Sequence, residues 1–114
     1  MAGRKNVLFP YHLTKAVSMS TSVTSAPISV QWLDNIYFTV NFTGTPTGTF
    51  SVEGSGDGGN NWQRIRLLTN PVASGAPDTV GIEINQAPMP LLRVVYTRIS
   101  GTGTIDIYVT AKEL

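Results

Sequence analysis

Hydrophobic and polar positions alternate with a period of two over most of the chain, which is the signature of half-buried β-strands. The clearest run is Ile36 to Phe42: Ile36, Phe38, Val40 and Phe42 share one face, and Tyr37, Thr39 and Asn41 the other. Gly44-Thr45-Pro46-Thr47-Gly48 then makes a turn, because glycine supplies positive φ and proline presets its own. Thr49 to Ser55 follows with Phe50 and Val52 inward, and Trp62 to Leu68 returns with Ile65 and Leu67 inward and Arg64 and Arg66 outward. Thr69 to Pro77 is looser, and Thr79 to Asn85 places Val80, Ile82 and Ile84 inward. After the proline-bounded connection Gln86 to Pro90, Leu91 to Ile99 puts Leu92, Val94 and Tyr96 on one face and Arg93, Val95 and Thr97 on the other. Ser100-Gly101-Thr102-Gly103 is a hairpin turn, and Thr104 to Ala111 sets Ile105, Ile107, Val109 and Ala111 inward. Ala16 to Val23 and Ile28 to Trp32 are weaker strand candidates.

No window of helical length carries a 3.6-residue stripe. Seven or eight short strands with regular turns predict an all-β single domain, a β-sandwich or jelly roll. Phe38, Val40, Phe50, Val52, Trp62, Ile82, Val94, Ile107 and Val109 are the expected core. Residues 1–15 stand outside the alternation. They mix basic and aromatic residues without a period, and are too rich in large apolar side chains for an ordinary frayed end. The expected organisation is therefore an N-terminal arm over residues 1–15 and a sandwich over 16–114.

Composition changes this picture mainly by exclusion. The 114 residues carry a net charge of +1, too little for a concentrated nucleic-acid-binding face. There are no cysteines, so disulfides and thiolate metal sites are excluded. Val7-Leu8-Phe9 is too short for a signal-peptide core, and no apolar run approaches a membrane span, so cytoplasmic synthesis is expected. Only 13% of residues are charged, against about a quarter in ordinary soluble domains. A surface that faces other protein and a surface coated with serine and threonine explain that value equally well.

No catalytic constellation emerges. The single His12 lies in the arm, and there is no nucleophile elbow. The seven acids, Asp34, Glu53, Asp57, Asp78, Glu83, Asp106 and Glu113, are scattered; Glu53 and Glu83 both project opposite the core face of their strands. A glycosidase needs two carboxylates across one cleft. The sequon Asn41-Phe42-Thr43 falls inside a strand and reads as chance. The expectation is a protein that is not an enzyme and uses no cofactor or metal.

The one compact motif is Ser55-Gly56-Asp57-Gly58-Gly59-Asn60-Asn61-Trp62, which resembles the Asp-box S-x-D-x-G-x-T-W with Asn61 at the threonine position. The resemblance implies a folding device in which the aspartate bonds the turn's amides and the tryptophan packs beneath the hairpin. A single copy carries no sialidase chemistry, and a calcium loop would want more acids than Asp57 alone.

The stretch Val30 to Leu67, with Gly48-Thr49-Phe50-Ser51-Val52-Glu53-Gly54-Ser55, the one-aspartate turn and Trp62, resembles small structural proteins of tailed bacteriophages. The resemblance implies a virion component, foremost a decoration (cement) protein on the outer surface of the head. It would bind the major capsid protein, form a homo-oligomer (dimer or trimer), and contact neither nucleic acid nor membrane. A tail-associated component and a carbohydrate-binding module are the alternatives. Arg4, Lys5, Val7, Leu8, Phe9, Tyr11 and Leu13 are the expected assembly residues of the arm, and Trp32, Tyr37, Arg64, Arg66, Arg93 and Tyr108 the candidate surface contacts.

Overall fold

A computed structural model describes residues 7–29, 35–65, 67, 71–85 and 90–112. Among these there is no helix. The elements in chain order are β1 (Val7–Ser18), β2 (Val23–Thr24), β3 (Ile28–Ser29), β4 (Asn35–Phe42), β5 (Thr47–Ser55), β6 (Gln63–Arg64), β7 (Val72–Ser74), β8 (Asp78–Asn85), β9 (Leu91–Ser100) and β10 (Thr104–Lys112).

They form two antiparallel sheets. One has the order β1-β10-β4-β8; in the other β9 and β5 are central, β2 and β3 line the free side of β9, and β6 and β7 line the free side of β5. Counting each broken edge as one strand turns ten elements into eight positions, four in each sheet. In chain order the sheets then read 1-8-3-6 and 2-7-4-5, the double-sheet order of a jelly roll.

The alternation places the core between the sheets. Ile36, Phe38, Val40 and Phe42 of β4, Ile82 and Ile84 of β8, and Ile105, Ile107 and Val109 of β10 are buried on the inner face of one sheet. Phe50 and Val52 of β5 and Leu92, Val94 and Tyr96 of β9 are buried on the inner face of the other. Phe50 joins the layers, its ring centroid 5.5 Å from Phe42 across the core and 5.1 Å from Tyr96 on its own sheet. The Tyr96 phenol donates to the Thr47 carbonyl at 3.1 Å, and burial pushes its pKa up against the opposing charge of Arg98. Of the expected core residues, all but Trp62 are buried; Trp62 is half-buried at the sandwich end.

The broken edge β2/β3 keeps its bonding through side chains. The Ser25 hydroxyl accepts from the Val94 amide at 2.9 Å and donates to the Ala26 carbonyl, while the Ser25 amide donates to the Val94 carbonyl at 2.9 Å. A buried hydroxyl therefore carries the ladder past Ala26-Pro27, where proline has no amide to offer.

The N-terminal segment departs from the expectation. From Val7 onward it is a strand antiparallel to β10, with Val7 opposite Lys112 and Ser18 opposite Thr104. The boundary expected at residue 15 falls inside β1, and Leu13 is buried in its own sandwich rather than offered to a neighbour. The alternation is missing because the register shifts three times, between Leu8 and Tyr11, His12 and Thr14, and Thr14 and Val17. Each extra residue reverses which side chains face inward.

Candidate functional site

The end of the β5–β6 hairpin is the Asp-box-like turn. Asp57 Oδ1 accepts from the Asn60 amide at 3.1 Å, the Asn61 amide at 2.9 Å and the Ser55 hydroxyl at 2.8 Å. Its Oδ2 accepts from the Asn61 side-chain amide at 2.7 Å, so the residue at the motif's threonine position also binds the aspartate. Gly58 and Gly59 take φ of 78° and 95°, which other residues rarely adopt. These bonds hold the Asp57 carboxyl down at about 2, led by the Asn61 amide. Four hydrogen bonds from inside the turn engage the carboxylate, which fits a folding device.

Trp62 closes this end. Its indole N–H donates to the Gly59 carbonyl at 3.0 Å, and the Arg93 guanidinium lies 4.1 Å from its ring centroid. Arg93 also binds Glu53 Oε1 through Nε at 2.8 Å and Nη2 at 2.7 Å. Arg64, exposed, stands opposite Glu53 in register. Arg93 is thus a brace between Trp62 and Glu53 on the outer face of the β9–β5 sheet, and one face of the indole is already covered.

The outer face of the β1–β8 sheet carries a second cluster. His12 stacks on Tyr108 with centroids 4.3 Å apart and planes 16° apart. His12 Nε2 lies 2.9 Å from Asp106 Oδ1, which also accepts from the Ala16 amide at 3.0 Å. Ala16 has φ 48°, the one positive-φ residue other than glycine among the described residues. Asp106 therefore pins the β1 bulge at two points, across a sequence distance no local pattern reveals. A histidine–carboxylate pair is also what a general base needs. Here the ring is spent on Tyr108 and the carboxylate on the bulge, so the geometry describes a latch.

The remaining expected contacts divide. Tyr37 is 46% exposed on β4, with its hydroxyl against Gly81 of β8. Tyr108 is half-buried by His12. Arg4, Lys5, Trp32 and Arg66 lie outside the described residues, as do the side chains of Val7, Leu8, Phe9 and Tyr11. Glu53 and Glu83 project from the outer faces of different sheets, on opposite sides of the sandwich, so they form no glycosidase pair. Among the described residues, no three histidine, aspartate or glutamate side chains gather as a metal site would require.

No family model and no curated protein matches the chain. Solved structures share its fold at low identity. An N-terminal cellulose-binding domain of a Cellulomonas fimi β-1,4-glucanase aligns over 88% of this chain and 78% of its own, with 14% identity and a TM-score of 0.50. The SPBc2 prophage-derived protein YomS aligns over 96% of this chain and 97% of its own, with 9% identity and a TM-score of 0.59. The chain is thus an all-β two-sheet domain similar in fold, from end to end, to a small prophage-derived protein.

Proposed function

We propose that this chain is a non-enzymatic virion structural protein, and specifically a decoration protein that binds the major capsid protein on the outside of a phage head and reinforces it. The observation that carries the reading is the jelly-roll sandwich shared over nearly its whole length with a prophage-derived protein. Three features support it. The polar clusters are spent on holding the fold: Asp57 on its turn, Arg93 on Trp62 and Glu53, and Asp106 on the β1 bulge. The surface charge is low. The Asp-box-like hairpin resembles those of phage structural proteins. A jelly roll is a rigid module of the kind viral shells use repeatedly at symmetry-related positions.

The test is quantitative mass spectrometry of purified particles. A copy number comparable with that of the shell protein is expected; absence from the particle refutes the proposal. A tail location would give a much smaller copy number.

A carbohydrate-binding module is the second reading. It is favoured by the exposed Tyr37 and by the likeness to a cellulose-binding domain. A glycan array probed with the full chain separates the two: specific retention that Tyr37→Ala abolishes would favour the second.

A further inference from the structure

A jelly roll has four sheet edges, and each is a row of backbone groups ready to pair with another strand. Three of them here carry interruptions that oppose such pairing. β1 shifts register three times and contains Pro10 and the positive-φ Ala16. The β2/β3 edge is broken at Ser25-Ala26-Pro27, and the other side of β5 is lined by two separate short strands, β6 and β7, with Pro71 just ahead of β7. The fourth edge, β8, also has a proline, Pro77, just ahead of it, but the strand itself is uninterrupted. Asp78 to Asn85 pairs with Phe42 to Asn35 residue for residue, without a bulge or a proline. Among the described residues nothing pairs with its other side.

We propose that β8 is a self-association edge, joining β8 of a second copy antiparallel across a two-fold axis at Gly81 and making one continuous eight-stranded sheet. Its central five residues, Thr79 to Glu83, are self-complementary about that residue, and only at the ends does a mismatched pair, Asp78 opposite Ile84, arise. Residues opposite one another in an antiparallel pair lie on the same face. Centring on Gly81 therefore sets Val80 opposite Ile82 of the second copy on the inner face, and Thr79 opposite Glu83 on the outer face. A register slipped by one residue would put Ile82 against Gly81 and mix the faces, which two-sheet packing forbids. The like charges of the two Glu83 side chains lie on either side of the axis, each facing a threonine.

Tyr37 supplies a second, independent observation. It is a large side chain left 46% exposed, and it reaches from the row of Glu83 to Gly81, where its hydroxyl rests. A Cβ at residue 81 would collide with that ring, so glycine lets the tyrosine lie over the edge strand. Across the axis the two Tyr37 side chains meet above the Gly81 pair and cover the new ladder. Tyrosine combines apolar area with a polar tip and suits such a junction. The inference does not depend on the virion reading: a monomer would overturn it and leave the particle composition untouched.

Sedimentation equilibrium of the full chain should give twice the 12.3 kDa chain mass. Thr79 and Glu83 are exposed, so charge changes there leave the fold intact, as circular dichroism will verify. Thr79→Lys places a cation opposite Glu83 of the second copy twice per dimer and should tighten dimerisation by about 2- to 30-fold; Thr79→Glu should weaken it by a similar factor. The chain has no cysteine, so a Thr79→Cys/Glu83→Cys variant offers a clean background. Mild oxidation should link it into covalent dimers. A wild-type monomer at the highest attainable concentration, an oligomer indifferent to both Thr79 substitutions, or a double-cysteine variant that does not cross-link would each overturn the proposal.

Discussion

Replacing Phe50 with alanine removes the ring that ties the two sheets together. Phe50 is 1% exposed, and its ring centroid lies 5.5 Å from that of Phe42 on the opposing sheet and 5.1 Å from that of Tyr96 beside it. Truncating a buried phenylalanine costs about 3–5 kcal/mol, as transfer energy plus the cavity left behind. The upper half of that range is expected here, about 4 kcal/mol, because two aromatic pairs worth roughly 0.5–1.5 kcal/mol each are lost together. Phe50→Leu keeps most of the volume and should cost about 1.5 kcal/mol. Urea denaturation followed by tryptophan fluorescence reads both, with an unchanged m-value showing that stability alone has moved. A cycle combining Phe50→Leu and Phe42→Leu should leave a coupling of about 0.5–1 kcal/mol, since the rings touch across the core. A loss below about 1 kcal/mol for Phe50→Ala would mean that the inner and outer faces of β5 are exchanged.

Ser25→Ala removes a hydroxyl that is 4% exposed and leaves the Val94 amide without its acceptor, at a cost of about 1–3 kcal/mol; hydrogen exchange at Val94 should accelerate with it. The Asp57 turn gives a signed pH dependence. The folded carboxyl titrates at about 2 against a usual 3.8, so its contribution is complete well above 3.8 and disappears as pH falls from there through 2. Amide exchange at Asn60 and Asn61 should rise over that window relative to the intrinsic rate, and an Asp57→Asn variant should show the fast exchange already at neutral pH. Deleting residues 1–15 takes away most of β1, including the buried Leu13 and Thr14, and uncovers the edge of β10. The truncated chain should unfold at a lower temperature and aggregate; a fully stable truncation would show that β1 contributes nothing to its own sandwich.

Four strands were legible because their alternation is uninterrupted. β4, β8, β9 and β10 pair in unshifted register over their cores, so among the described side chains the inward residues of the sequence pattern face inward in the fold. β1 was illegible for the opposite reason: three register shifts scramble its period. The latch that compensates joins His12 to Asp106, and nothing in the local sequence around either residue marks the other. The β2/β3 edge looked weak because a serine hydroxyl replaces a backbone group there. The Asp-box-like turn was readable from residue types alone, since glycine, aspartate and asparagine each have one task in it. Trp62, expected in the core, is half-buried because it caps the sandwich end beneath Arg93. No sequence pattern could have shown that three edges are interrupted and one is not, since that depends on which strands end up at the margins.

The most direct test of the proposed role is a three-dimensional reconstruction of phage particles produced from the genome that encodes this chain. A decoration protein would appear there as a two-layer β-sandwich on the outer surface of the head, repeated at symmetry-related positions and bridging adjacent shell subunits. A capsid surface without that density, or the sandwich found only along the tail, would contradict that role.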